Sequence, residues 1–600
     1  MKTLFFACAM LLSLATYAQD EQLARQYLDN GEYEKAATLY EQLYKKFPQQ
    51  EYFLTQFASA LVANKDFAKA ETEIKKQLKA RPDNLTLQLV LGDIATKQDK
   101  PDDAKKIYQK AISSLKADQG QVMMLKEAFL TRFLFGFAQQ TLERGNALMK
   151  TPNQFAFYEG EVLRNLNEPT RMVTRYIDAL DFNEGVLPAL EATFQRYFKD
   201  EDYKELVAQL YARLQATPDK VVYTELLISV LQQRKDFKAA LKQVRALDRR
   251  MDEGGTRVFT FARNIENEND YDTAIDAYTY IVTEKGASSP FFVEASKGVL
   301  RCRREKIVRG FNYTKTDVTT LANEYADFLN KNGWNINNAE MIREWAKLEV
   351  FYNNNLNQGV VLMDSLLQMP RLPQKIQGES KLELGDYYLM QNEPWEATLL
   401  YSQVDKAFKE DDLGEMGRYK NAKLSYYSGD FEWSQTQLKI LKASTSELIS
   451  NDAIDLSVFI MDNLNLDTAA TAMKMYAAAD LLAFQNRFDE AIVKLDSLPV
   501  LFPKHVLEDD IWYAKAQILK KQRNYTEAAT YFQKIIDTYP EEIRADNATF
   551  ELAELNELHL NNKENAKKLY EKIITNYTSS TFVIEARKRF RALRGEGAAG

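Results

Sequence analysis

The sequence predicts an all-helical protein built as a solenoid of antiparallel helix pairs, and three observations carry that prediction. An aromatic residue or proline recurs every 34 residues, at a position read as the turn between the two helices of a pair: Tyr33, Phe67, Pro101, Phe135, Pro169, Tyr203, Phe237 and Tyr271. Three residues after each comes Ala36, Ala70, Ala104, Ala138, Met172, Leu206, Ala240 or Ala274. Four further on stand Tyr40, Ile74, Tyr108, Leu142, Tyr176, Leu210, Val244 and Tyr278. A small and then a large apolar residue one turn apart is what the second helix of a pair needs to pack closely on the first. Finally, 600 residues contain only 22 Gly and 14 Pro, among long runs rich in Ala, Glu, Lys, Leu and Tyr. Such runs favour helix, and no strand pattern of any length interrupts them.

Six hundred residues exceed what one hydrophobic core supports, so a solenoid or several domains is required. Hydrophobic residues make up 45% and charged residues 27%, as in a folded soluble protein. The net charge of -8 carries no long basic run, which argues against a nucleic-acid partner.

Taken in order, the chain opens with MKTLFFACAMLLSLATYAQD. Lys2, the apolar run Leu4 to Leu14 and the small-residue site ending at Ala18 predict a signal peptide over 1–18, cleaved after Ala18. The run is too short to span a membrane. Cys8 lies too near the start for a lipoprotein signal, so lipidation there is not expected. Cleavage leaves Cys302 alone, which rules out an internal disulfide.

Residues 19–286 are read as an N-terminal array of about eight repeats. Pro48, Pro82 and Pro218 end helices at matching places. The units around Phe135 and Pro169 are degenerate, and FLTRFLFGFAQQ (129–140) reads either as core or as an exposed contact patch. The period fails over 287–377, read as an irregular helical junction between two arms. GASSP, KNGWNINNAE and FYNNNLNQG supply its turns. Arg301, Arg303 and Arg304 around Cys302 read as a solvated face with one buried small residue, or as a site that binds an anion or activates the thiol. Repeats return over 378–594: Gly385, Ala397 and Tyr401 mark one unit, Phe431 and Leu438 the next, and Ala479, Phe488, Ala491 and Leu495 a third, after helical segments at 445–465. A capping helix, TFVIEARKRFRALRG, precedes a flexible tail at 595–600.

The clearest units lie in 509–577. Trp512, Ala516 and Leu519 share one helix face, and Ala528, Phe532 and Ile535 form the facing stripe until Pro540. Ala553, Ala566, Tyr570 and Ile573 repeat the layout. This resembles the tetratricopeptide repeat (TPR), which implies a superhelix whose first helices line a groove for a peptide or partner helix. FQKIIDTYPEEIRADNATFELAEL also resembles repeats of exported bacterial proteins, the BamD-type assembly lipoproteins and the Tol-Pal-associated periplasmic factors. The signal ending in Ala-Gln-Asp resembles those of Bacteroidota envelope proteins. These resemblances imply a scaffold for envelope complexes.

A search for chemistry finds little. His505 and His559 fall in different repeats without metal-ligand spacing, and no phosphate-binding, dinucleotide or nucleophile-elbow motif occurs. Glu410-Asp411-Asp412 and Asp509-Asp510 fall at helix starts, where the helix dipole accounts for them. No catalytic residue, metal or cofactor is therefore predicted, and the protein is read as a non-enzyme. Glu21 and Arg25 do not reproduce the Lys/Asn clamp of chaperone-tail-binding TPRs, so such tails are not expected as ligands. Trp512, Tyr513 and Gln517 are candidates to reach the groove, Trp512 reading better as core. Asp272-Thr273-Ala274, Asp364-Ser365-Leu366, Asp467-Thr468-Ala469 and Asp496-Ser497-Leu498 resemble a short O-glycosylation signal. The expected role is a scaffold or adaptor that binds envelope proteins, in the periplasm or at the outer membrane. The alternative is a cell-wall or division factor that binds peptidoglycan or regulates wall enzymes.

Overall fold

A computed structural model describes residues 19–310, 313–409, 411–442, 446–464, 470–503 and 507–595. Among these residues every regular element is helical, and none of the helices is long and apolar enough to cross a membrane. The signal segment with Cys8, His505, Glu410, Asp467-Thr468-Ala469 and residues 596–600 lie outside the described residues. Contacts divide the chain into two compact units between Phe292 and Val293.

In the N-terminal unit the 34-residue beat sets the start of the second helix of each pair. Tyr33–Lys46, Phe67–Ala80, Pro101–Ser113, Phe135–Met149, Pro169–Phe182, Phe237–Met251 and Tyr271–Tyr280 all begin on the recurring residue. That residue is therefore the first helical position and not part of the turn. Proline suits it, because the first helical N–H needs no partner. Tyr203 departs from the pattern: its helix starts earlier, at Asp200, where the Asp202 carboxylate accepts from the Lys199 N–H at 2.9 Å.

Two residues before each of those seven starts, one residue adopts a left-handed backbone: Gly31, Lys65, Asp99, Phe133, Asn167, Lys235 and Asn269. The next N–H then reaches back five residues, as in Asp66 to Leu61 at 2.9 Å and Lys100 to Ala95 at 3.0 Å. This closes the preceding helix while satisfying its last carbonyls. Asp66, Asp236 and Asp270 then cap the next helix through their side chains. Between helices, all sixteen residues of the small and large series are buried. Where the first helix offers glycine the approach is closest: a Cβ at Gly160 would meet the Tyr176 ring at 2.6 Å.

Neighbouring pairs in this unit are also joined by charge. Arg175 Nε lies 2.9 Å from the fully buried Glu159 and reaches Asp178 at 3.1 Å. Arg213 bridges Asp178 and Asp181, and Asp181 also takes Lys220 and the Tyr223 hydroxyl. The apolar run 129–140 divides between its two readings. Phe129 and Ala138 are core, with Phe137 stacked on Phe129, whereas Phe133 is 79% exposed.

The C-terminal unit begins with Phe292–Gly310, Lys315–Asn332, Ala339–Phe351 and Leu356–Leu367. Cys302 is buried there, Arg303 pairs with Glu324, and Arg304 lies between Glu305 and Glu344. Regular pairs follow: Gln374–Met390 with Pro394–Ala407, Asp412–Tyr427 with Phe431–Leu441, Thr471–Phe484 with Phe488–Leu501, Glu508–Lys521 with Tyr525–Thr538, and Arg544–Leu558 with Lys563–Asn576. Val583–Leu593 closes the series. The helix Glu447–Leu464 lies between two of these pairs and packs on Phe431–Leu441.

Candidate interaction groove

Three successive first helices of the C-terminal unit share one surface pattern. Each carries a tyrosine three residues before the buried alanine that faces its partner helix: Tyr419 before Ala422, Tyr476 before Ala479, and Tyr513 before Ala516. On a 3.6-residue period the tyrosine, the residue after the alanine and one a turn later form a stripe beside the packing face. In this case the residues after the alanines are Lys423, Asp480 and Gln517. The three stripes line one hollow of about 270 Å³. A second, of about 340 Å³, shares Asp455, Phe459 and Arg544 with it and is lined further by Asp462, Asp509 and Asp510.

The helix Glu447–Leu464 forms the opposite wall of both hollows. Its Phe459 ring stands 5.2 Å from Tyr476 and 6.1 Å from Tyr426. Ser457 and Gln435 exchange two hydrogen bonds of 2.7 Å. The Asn463 amide donates to Asp510 at 3.2 Å, while Arg544 Nε donates to the other Asp510 oxygen at 2.7 Å. The Arg544 guanidinium also lies 4.9 Å from the Tyr513 ring. Asp510 and Arg544 stand at the same point of consecutive repeats, so their pairing follows from stacking one repeat on the next.

Burial governs the electrostatics of this surface. Asp509 and Asp510 are 9% and 6% exposed. Burial, and then the adjacent Asp510, push the Asp509 carboxyl up to about 7. Burial also raises Asp452 and Asp455 and lowers Lys521. Burial works against the Arg544 charge as well, but Asp510 and Tyr476 more than offset it. The helix dipole alone thus does not account for Asp509 and Asp510, which face a walled hollow. Sequence reasoning missed this because it placed them on an open helix end.

The other candidates separate cleanly. Tyr513 and Gln517 line the hollow, with Gln517 donating to Glu551 at 2.9 Å. Trp512 is core, its ring capped by Lys534 at 3.6 Å. His559 stacks on Tyr525 with ring centroids 4.0 Å apart. Thr273 is fully buried, which closes it to glycosylation in the folded chain. Among the described residues no group of three or more His, Cys, Asp or Glu is placed to hold a metal ion.

Residues 27–84 match one tetratricopeptide-repeat family model, and residues 476–543 and 513–581 match another. The chain carries tetratricopeptide repeats. Such repeats act as protein-interaction scaffolds and are generally not catalytic. Similar solved structures include the Naa15/Naa10 complex bound to HypK-THB, 14% identical over 96% of this chain and 96% of that chain, with a TM-score of 0.25. A tetratricopeptide repeat protein from Parabacteroides merdae is 11% identical over 49% of this chain and 97% of its own, with a TM-score of 0.28. Yeast Tom70 is 14% identical over 96% of this chain and 99% of its own, with a TM-score of 0.26. No curated protein matches the chain.

Proposed function

We propose that the protein is a non-enzymatic scaffold or adaptor of the bacterial cell envelope, holding a protein partner in the TPR groove during assembly of an outer-membrane or secretion complex. The observation that carries this reading is the tyrosine-lined face of three successive first helices, a surface with hydrogen-bonding edges, aromatic area and unevenly distributed charge. The signal-like segment ending at Ala18 supports export to the periplasm or the inner side of the outer membrane. Affinity purification of the tagged protein from envelope fractions tests the reading. A stable envelope-protein partner lost on Tyr513→Ala is the expected result. Free protein in the medium with no partner overturns it, and retention on purified sacculi without a protein partner transfers the role to cell-wall binding.

A further inference from the structure

Asp509 is a buried carboxylate without a cation. It is only 9% exposed and lines the hollow of about 340 Å³. Among the described residues no Lys or Arg pairs with it, and only backbone amides of its own turn reach it. Its neighbour Asp510 is satisfied, with Asn463 donating at 3.2 Å and Arg544 at 2.7 Å. The start of Glu508–Lys521 does not explain the difference, because a helix dipole favours an exposed carboxylate just as well. Glu508, one residue earlier, takes that exposed place and accepts from the Tyr539 hydroxyl at 2.8 Å. A carboxylate taken out of water with no counter-charge is costly, and Asp509 has a second carboxylate beside it.

The rest of the hollow carries the same deficit. Asp455, Asp462, Asp510 and Glu542 line it together with Asp509, and Arg544 is the one cation among the described lining residues. Arg544 is committed to Asp510 and also acts on Asp455, while Lys423 offsets Asp452 in the adjoining hollow. Asp509 in the wall and the exposed Asp462 and Glu542 are left with no ion pair among the described residues. Val458, Phe459 and Ile543 supply apolar surface beside them, and Ile543 is 57% exposed. An apolar wall next to an anionic group suits a ligand with an aliphatic stem and a cationic head, as in Lys and Arg side chains. It does not suit a bare metal ion, for which no group of three or more His, Cys, Asp or Glu is placed among the described residues.

We infer that this hollow seats one basic side chain, Lys or Arg, presented by the protein partner, with Asp509 as its counter-ion; the scaffold reading supplies only the source of that side chain. The stem lies along Phe459 and Ile543, and the head replaces the missing partner of Asp509. Glu542 and Asp462, nearer solvent, draw the cation in, which affects the rate of encounter more than the affinity. The desolvated contact at Asp509 sets which residue of the partner is accepted, because an uncharged side chain leaves that carboxylate unpaired. The helix Glu447–Leu464 stays in place throughout, as a wall of the seat.

The test titrates the full chain with n-butylammonium and n-butylguanidinium chloride, which reproduce the stems and heads of Lys and Arg, and with 1-butanol as the uncharged control. Calorimetry at pH 8, above the raised value of Asp509, reads the binding. One saturable site is expected for at least one of the two cations and none for 1-butanol. Asp509→Asn should weaken it by about tenfold or more. Glu542→Gln changes an exposed residue that the fold does not need, and should weaken it by about two- to fivefold. Glu508→Gln, outside the hollow, should leave it unchanged. No saturable binding of either cation overturns the inference, as does binding that neither Asp509→Asn nor Glu542→Gln weakens in chains that still melt cooperatively. Tighter binding of magnesium than of both organic cations overturns it in favour of a metal site. Spermidine binding more than about tenfold tighter than both cations overturns it in favour of a free polyamine. An envelope partner held equally by wild type and Asp509→Asn overturns the source of the side chain and leaves the scaffold reading standing. Butylammonium binding lost on Asp509→Asn, with no envelope partner recovered, upholds the seat and sinks the scaffold reading.

Discussion

Gly92→Ala examines the packing rule on which the array depends. Gly92 sits mid-helix in Leu85–Lys97, opposite Tyr108 of Pro101–Ser113. A Cβ there would lie 2.8 Å from both Cδ1 and Cζ of the ring, and closer still to Cε1. The ring cannot swing away freely, because its hydroxyl donates to Asp93 at 2.9 Å and Arg132 grips the same carboxylate at 2.8 Å. Phe129 and Phe137 close it in at centroid distances of 5.5 and 5.3 Å. Overpacking costs about 1–3 kcal/mol, and three ring atoms inside van der Waals contact place this site in the upper half of that range. Gly to Ala in mid-helix returns about 0.5–1 kcal/mol. The net expectation is a loss of about 1–2 kcal/mol, read by urea unfolding and by faster amide exchange across 85–113. One repeat earlier the corresponding pair is Ala58 and Ile74, both buried. In a Tyr108→Ile background, Gly92→Ala should therefore stabilise, by the helix term alone. The same sign of effect in both backgrounds would refute the reasoning.

Three further outcomes follow from the same structure. Phe133 is a bulky residue held at φ 57° with its side chain in solvent, so Phe133→Gly should raise unfolding stability by about 1 kcal/mol; an unchanged or lower urea midpoint would count against strain at that turn. Arg175→Met strips the buried Glu159 of its cation and should cost about 3 kcal/mol near neutral pH. Burial already raises the Glu159 carboxyl, so the folded state binds a proton more tightly than the unfolded one, and the variant should regain stability as pH falls through that raised value. A loss that stays constant with pH would contradict it. Asp509, pushed up to about 7 by burial and Asp510, contributes stability below its unfolded value that is lost as pH rises through about 7. Asp509→Asn should thus flatten the fall in stability across that window and leave the variant more stable than wild type on the alkaline side, as thermal melts at stepped pH would show.

Much of the repeat architecture was legible because it is written in local spacing. The small–large pairs from Ala36 and Tyr40 to Ala274 and Tyr278 are all buried, since a residue one helical turn from a packing residue shares its face. The turn chemistry was less legible. Gly31, Asp99, Asn167 and Asn269 are of the residue types that take the left-handed backbone readily, but Lys65, Phe133 and Lys235 take it too without announcing it. The closing hydrogen bonds impose that conformation on side chains with no preference for it. The groove was least legible. Tyr513 and Gln517 could be nominated from one helix, but Tyr419 and Tyr476 join them only when three repeats stack, and the spacing between those repeats is broken by 447–464.

By itself, then, the sequence determined the helix pairs and the residues packed between them, because each depends on contacts within a single repeat of about 34 residues. Tertiary structure alone decided which surface is walled and how it is charged. Asp509 and Asp510 become buried neighbours of Arg544, and Glu447–Leu464 comes to lie against the tyrosine ladder. Those outcomes depend on desolvation and on contacts between repeats, and neither is encoded in the order of residues along one helix.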